Sequence, residues 1–372
     1  MQSFKVGHAS DPDWQRASQS CLAQIGDVPH PFTLGFLYVT DAFAAHLPDI
    51  LNSFKVATGI EHWVGTLGMG ICTTGQEYFD QPAIAAMVTA FPEDSFRVFP
   101  TIDANLHEFV RDQSDWYSKA DAHFGIVHVD PRNSNIPMFI AALADEIISG
   151  FLVGGLTSSR GAYSQIAEQV TEGGISGVLF GGDVQVITAL TQGCSPIGKS
   201  HVITECDANV AISLDEQPAL DVFQEDVGEL IARDPRGAAG HIFAALPIRG
   251  SDTGDYLVRH LTGFDPERKL LSVDELLEPG QMMMFCRRDA QSAYQDMLRM
   301  LERIKGRLTG PPRGGLYYSC VGRGPNLFGQ NSEELRTIQG QLGDFPLVGF
   351  FCNGEVSHNR LYGYTGVLTV FI

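Results

Sequence analysis

The sequence predicts an α/β chain, α+β in stricter usage, of two domains whose mixed and largely antiparallel sheets are flanked by helices. Three observations carry this. The chain has 372 residues, more than the roughly 100–200 typical of one domain. Apolar residues make up 44% and charged residues 19%, the balance of a well-cored globular protein. Short β-branched apolar runs are also interleaved with helix-spaced ones along the whole length.

Residues 32–40 (FTLGFLYVT) are apolar, β-branched and end at an aspartate, as a strand running into a helix N-terminus does. Residues 42–54 place Phe43, Leu47, Ile50, Leu51 and Phe54 at helical spacing. A strand interrupted by Gly65 and Gly68 is expected over 62–69, followed by an apolar run over 82–91. Residues 123–129 read as a strand and 136–148 as an amphipathic helix. Residues 151–156 enter a Gly-rich turn, 163–170 read as a short helix, and 175–180 and 184–190 as paired strands about Gly181 and Gly182. A hairpin is expected over 201–207 and 210–214.

The acidic helix over 219–232 marks the boundary between an N-terminal domain, 30–220, and a C-terminal one, 221–372. Strands follow at 242–248, 256–261 and 281–286. The longest helix spans 290–308 and ends at Pro311-Pro312. Strand 316–320, helix 333–342 and strands 347–352 and 361–371 complete the chain. Val-Gly recurs at Val64-Gly65, Val153-Gly154 and Val348-Gly349. The glycine usage of strand ends accounts for this more simply than an internal repeat.

Lys plus Arg number 25 against 44 Asp plus Glu, a net charge of −19. Nucleic acid and anionic lipid are bound largely by neutralising phosphates, so neither is expected as a partner; small molecules and proteins are. The seven cysteines are odd in number, widely spaced and without a C-x-x-C, which argues against a zinc ribbon or thioredoxin-type site. Free thiols suit a reducing compartment. With no apolar leader segment and no run near 18 apolar residues, a cytoplasmic location is expected.

Gly193-Cys-Ser-Pro-Ile-Gly-Lys-Ser200 fits the phosphate-loop pattern G-x-x-x-x-G-K-S. A phosphate loop needs a helix after it to present amides, and residues 201–213 alternate like a strand instead. Pro196 also removes one amide. A tight turn with a solvent-facing Lys199 is the expected structure.

Chemistry concentrates at strand ends. Ser319-Cys320-Val321-Gly322-Arg323-Gly324 follows an apolar strand, and glycines around an arginine let successive amides curl into an anion-binding nest. Arg323 adds a fork for a carboxylate or phosphate. Its charge would lower the pKa of Cys320 and make it reactive; a buried cysteine beside a structural arginine is the competing reading. Asn353 and Glu355 beside Gly354 offer acceptors, and Glu355 with Arg323 would hold a zwitterion such as an amino acid, or else pair with it directly. Ser158, Ser159 and Arg160 precede the expected short helix and either cap it or bind an anion. His123 and His128 are five apart on a strand and point to opposite faces.

The blocks GGLTSSRG (154–161), GGISGVLFGG (173–182), TQGCSPIG (191–198), DANVAISLDEQPAL (207–220), GSDTGDYLVRHL (250–261), SCVGRG with LFG (319–329), and VGFFCNGE with LYGYTGVLTVF (348–371) resemble the FIST family. The likeness runs from about residue 32 to the C-terminus. It implies an intracellular sensory module that binds a small ligand, amino acids among those proposed, in company with histidine kinases, cyclic-dinucleotide enzymes or chemoreceptors. Some members bind haem and respond to nitric oxide. With no kinase, cyclase, F-box or membrane segment recognised, output would pass through a separate partner protein. The resemblance brings no catalytic machinery and no resident cofactor. Its site candidates here are Cys320, Arg323 and Glu355 with Gly322, Gly324 and Asn353, then Asp252, Arg259, Ser158, Ser159 and Arg160. The alternatives are a haem-based nitric-oxide sensor, with His201, His241 or His358 as ligand, and a thiol-reactive sensor or enzyme using Cys320.

Overall fold

Three copies of one βαβ pattern build the larger of two spatially compact units, Met1–Thr191 with Met297–Ile372. The computed structural model describes residues 4–28, 32–103, 116, 120–233, 241–248 and 255–372. In the first copy β2 (Leu34–Thr40) runs through a 3-10 turn and α2 (Leu47–Thr58) into β3 (His62–Gly68), which pairs with it in parallel. The second copy is β8 (Phe124–Val129), α3 (Ile136–Glu146) and β9 (Phe151–Leu156); the third is β22 (Gly314–Cys320), α7 (Glu333–Leu342) and β23 (Leu347–Cys352). These six strands are nearly all buried, as parallel strands covered on both faces should be.

Each copy begins with an edge strand: β1 (Phe4–Ser10), β7 (Phe96–Ile102) or β13 (Val186–Gln192). Each closes with an antiparallel partner of its first parallel strand: β6 (Ala83–Thr89), β12 (Ile175–Phe180) or β26 (Thr365–Phe371). Between them lies a hairpin that leaves its own copy: β4 (Gly70–Thr73) with β5 (Gln76–Phe79), β10 (Gln165–Ala167) with β11 (Gln169–Thr171), and β24 (Glu355–His358) with β25 (Arg360–Tyr362). β4 pairs with β23, β10 with β3 and β24 with β9. The outcome is three six-stranded sheets of one order: β1-β6-β2-β3-β10-β11, β7-β12-β8-β9-β24-β25 and β13-β26-β22-β23-β4-β5.

The recurrent Val-Gly is the signature of this repeat, which corrects the simpler reading given above. Gly65, Gly154 and Gly349 stand opposite Leu37, Val127 and Tyr317 at one register. At each, an added Cβ would collide with the backbone carbonyl oxygen of that partner. The fold therefore demands glycine three times for one reason. A central apolar core unites the repeats, with Phe36, Tyr38, Ile126, Phe180, Leu316, Tyr318 and Phe371 among its members.

The second unit, Gln192–Asp296, is inserted between β13 and β22. Its strands are β14 (Cys194–Asp207), β15 (Val210–Leu214), β16 (Gln217–Pro218), β17 (Ile242–Pro247), β18 (Tyr256–Arg259), β19 (Leu261–Asp265), β20 (Leu270–Val273) and β21 (Met282–Arg288). They form an antiparallel sheet in the order β18-β17-β21-β14-β15-β20-β19, with β16 on β15. The two edge strands are separated in sequence by His260 alone, so one segment begins and ends the sheet. α4 (Ala219–Arg233) sets Ala219, Phe223 and Val227 into its core with Ile203, Leu271 and Phe285. The spatial division at Gln192 and the sequence division near 220 thus cut the chain at different places. α5 (Ala290–Arg307) begins at the end of this unit and contributes Met297, Met300, Leu301 and Ile304 to a core of the first.

The sequence correctly anticipates an α+β chain with mixed sheets. It misreads residues 163–170, which form the β10–β11 hairpin about Glu168 (φ +63°), not a helix. Strands β12 and β13 lie in different sheets instead of pairing. β1 and α1 (Trp14–Ile25) are unanticipated; Asp13 caps α1 by accepting from the amides of Gln15 and Arg16. The phosphate-loop look-alike is not a turn between elements but part of strand β14, bulged where its register with β21 shifts between Ile197 and His201. Gly198 (φ +67°) takes the bend, and Lys199 is exposed, 3.6 Å from Asp215 Oδ2. Among the described residues no helix is long and apolar enough to cross a membrane.

Candidate functional site

The parallel strand β22 ends at Cys320, and the chain turns at once through Gly322 and Gly324 into α6 (Pro325–Phe328) and then α7. The expected anion nest forms, and the anion it holds is the chain's own Glu334 from α7. Gly324 N donates to Glu334 Oε2 at 2.9 Å and Arg323 Nε to Oε1 at 2.9 Å. Tyr317 Oη and Ser319 Oγ donate to the same carboxylate at 2.8 and 3.0 Å. Four donors saturate its lone pairs. Gly324 adopts φ +51° to turn its amide inward.

Arg323 and Glu334 are both fully buried, with Arg323 Nη2 2.8 Å from Glu334 Oε1 and the guanidinium over the Phe328 ring at 5.2 Å. Direct pairing of Arg323 with Glu355 is therefore not what the chain makes. Arg323 Nη1 has no hydrogen-bond partner among the described residues. Glu77, on β5 of the exchanged hairpin, completes the cluster: its amide donates to Ser332 Oγ at 3.0 Å and its Oε1 accepts from Leu335 N at 3.5 Å. Burial, and then the Glu334 charge, push the Glu77 carboxyl up to about 8.

Glu355, the first residue of β24, is fully buried as well. Thr365 donates to its Oε2 from both the amide, at 3.1 Å, and the hydroxyl, at 2.8 Å. Its Oε1 has no hydrogen-bond partner among the described residues that meets ordinary geometry; the nearby Cys320 thiol is only a weak donor. Burial raises the Glu355 carboxyl to about 8, with Thr365 and Arg323 opposing. The same burial, and then the Glu355 charge, push the Cys320 thiol up. This corrects the expected low-pKa, reactive cysteine: the arginine's influence is the smallest of the effects there, and an undissociated, buried thiol is a poor nucleophile.

The remaining candidates separate. Asn353 is exposed, its amide donating to Leu156 O at 3.0 Å. Ser158 is buried and structural, accepting from Met69 N at 2.9 Å and donating to Phe351 O. Ser159 Oγ accepts from Gly161 N at 3.0 Å. Arg160 pairs with Asp41, just after β2, and with Asp80, just after β5, so these three hold loop geometry without capping a helix. In the second unit Arg259 Nε donates to Glu275 Oε2 at 2.8 Å. Asp252 lies outside the described residues.

Sequence reasoning missed the partners that chain distance conceals: Glu334, Glu77 and Thr365. It also missed a polar triad, one residue from the same position of each repeat. Tyr38 Oη lies 3.1 Å from both His128 Nε2 and Tyr318 Oη, and all three are fully buried. Burial holds the His128 imidazole neutral, its pKa down to about 3. In the second unit the buried His201 sets Nδ1 at 2.9 Å from Asp215 and Nε2 at 2.9 Å from Asp226, so neither ring nitrogen is spare for a metal. All seven cysteines are free of disulfides.

Comparison with known proteins gives one family. Residues 33–217 match the FIST N domain and residues 219–358 the FIST C domain. An uncharacterized protein of Mycobacterium tuberculosis is 28% identical over 395 residues, covering 99% of each chain. Another, of Mycobacterium bovis, is 26% identical over 392 residues, covering 99% of this chain and 98% of its own.

Proposed function

Because the chain belongs to the FIST family, whose domains are sensors of signal transduction, we propose that it binds a small zwitterionic ligand, such as an amino acid, where β22 and β23 end. The observation that carries this is a buried guanidinium and a buried carboxyl with unmet hydrogen-bond capacity, Arg323 at Nη1 and Glu355 at Oε1. Leaving such groups unpaired costs about 1–3 kcal/mol each, and more when they are charged, a cost that a ligand carboxylate and ammonium would remove. Strand carboxyl ends are also where open α/β sheets take ligands. The glycine-rich turn of residues 321–324 is the segment that must move to admit one. Output passes through a separate partner, a histidine kinase, cyclic-dinucleotide enzyme or chemoreceptor, in the cytoplasm.

The test is a thermal-shift panel of amino acids, organic acids, nucleotides and hemin. A ligand at 100 times its Kd stabilises the native state by about 2.7 kcal/mol. A shift with an amino acid that disappears in Glu355→Ala supports the reading. Shifts with hemin or nucleotides alone overturn it, and hemin alone would favour the haem sensor instead.

A further inference from the structure

The three repeats place Ile71, Gln165 and Glu355 at one position, the residue of the exchanged hairpin opposite Phe350, Thr66 and Gly155. The side chain beside it comes from the antiparallel strand: Ala85 opposite Tyr38, Ser176 opposite His128, Val367 opposite Tyr318. The first repeat pairs two apolar residues. The second closes a polar pair completely: Ser176 Oγ donates to Gln165 Oε1 at 2.6 Å, and Gln165 Nε2 donates to Gly174 O at 3.1 Å. The third puts an acid, Glu355, at this position and loses the serine donor. Thr365, the counterpart of Gly174, serves Oε2, while Val367 stands where the serine would serve Oε1.

Nothing in the packing requires this mismatch, since the second repeat shows the satisfied version in the same backbone. Buried polar groups left half-satisfied against a folding preference are where function is stored. We propose that Glu355 Oε1 receives the ammonium group of the ligand, and that binding expels the proton which the unliganded carboxyl carries. The inference rests on the ligand-site reading above and adds its proton linkage. In the step, the carboxyl O–H breaks, its proton leaves to solvent, and the ligand's N–H donates to the resulting carboxylate, so charge balances. Burial, which holds the free carboxyl protonated to about pH 8, supplies the proton. The titratable and charged groups about it are Cys320 on β22, Arg323 in the following turn, Cys352 on β23 and Tyr362 on β25; β9 presents Gly155 and β26 the neutral Thr365.

The experiment is isothermal titration of the whole chain with glycine, ethylammonium and acetate, in two buffers of different ionisation heat. Glycine and ethylammonium should bind with release of close to one proton at pH 7, and affinity should rise about tenfold from pH 6 to pH 7 and level off above 8. Acetate should release none. The double variant Glu355→Gln with Val367→Ser rebuilds the closed pair of the second repeat and should fold yet lose both amine binding and proton release; Glu355→Gln alone serves if the pair misfolds. Amine binding without proton release, or undiminished in these variants, overturns the inference and leaves the small-ligand reading standing. No binding by any of the three also overturns it, and the broader thermal-shift panel then decides whether the small-ligand reading falls too.

Discussion

Glu334 and Glu355 are buried carboxylates of the same repeat, and the chain treats them in opposite ways. Glu334 receives four donors, one of them a guanidinium. Glu355 receives two from Thr365, both on one oxygen, and beyond the weak Cys320 thiol no donor among the described residues serves the other. Burial alone therefore does not mark a functional acid. What distinguishes the two is the number of donors the fold supplies against the number a carboxylate can take. By that measure Glu334 fixes the turn after β22, and Glu355 is held open.

The comparison can be broken most forcefully at Glu334. Glu334→Ala leaves the Arg323 guanidinium buried without its counter-charge, and loss of one partner of a buried pair costs about 3–5 kcal/mol. Urea unfolding should show that loss; a change below about 1 kcal/mol would mean Glu334 does not hold the turn. The repeat underlying the comparison is tested at Gly349, where a methyl group meets Tyr317 O. Gly349→Ala should destabilise by at least the roughly 1–3 kcal/mol of overpacking, and Gly65→Ala, which meets Leu37 O in the same way, should match it. Unequal effects would show that the copies do not share one constraint.

A smaller effect is expected at the triad. Tyr38→Phe removes the hydroxyl that both His128 and Tyr318 face, at about 1–3 kcal/mol for partners left unsatisfied. Tyr318→Phe, removing an end of the chain and not its middle, should cost less. The smallest effect belongs to Lys199→Ala: an exposed side chain at 3.6 Å from Asp215 contributes no more than about 1 kcal/mol, and nucleotide should not shift the unfolding temperature of either protein.

Much of the strand and helix pattern was legible because parallel strands buried on both faces read as continuous apolar runs, as residues 347–352 do. The threefold repeat was not, for two physical reasons. Each hairpin pairs outside its own copy, and the second unit separates β13 from β22 by over a hundred residues. Only the Val-Gly positions survive as a trace, because backbone contact tolerates one residue type there. Residues 163–170 read as a helix because strands of three residues are too short to show a period of two. At the site, the composition of residues 319–324 did disclose a nest and an arginine fork. That Glu334 fills the nest depends on α7 returning over β22, and that Glu355 lacks a donor depends on Val367 standing where the second repeat has Ser176. Neither is local in sequence.

The central claim is that Glu355 is kept unsatisfied and protonated within a fold that could satisfy it. Its folded pKa near 8 lies above the ordinary 4.5, so the folded state holds the proton more tightly. The associated stability is complete below about pH 4.5 and lost as pH rises to about 8, by at most about 1.4 kcal/mol per pH unit. Glu77 contributes a slope of the same sign, so the quantity to measure is a difference: unfolding free energy against pH for the wild type and for Glu355→Gln. The account predicts that the variant gains on the wild type steadily from pH 5 to pH 8 and holds a constant advantage above it. Parallel profiles over that range would contradict it.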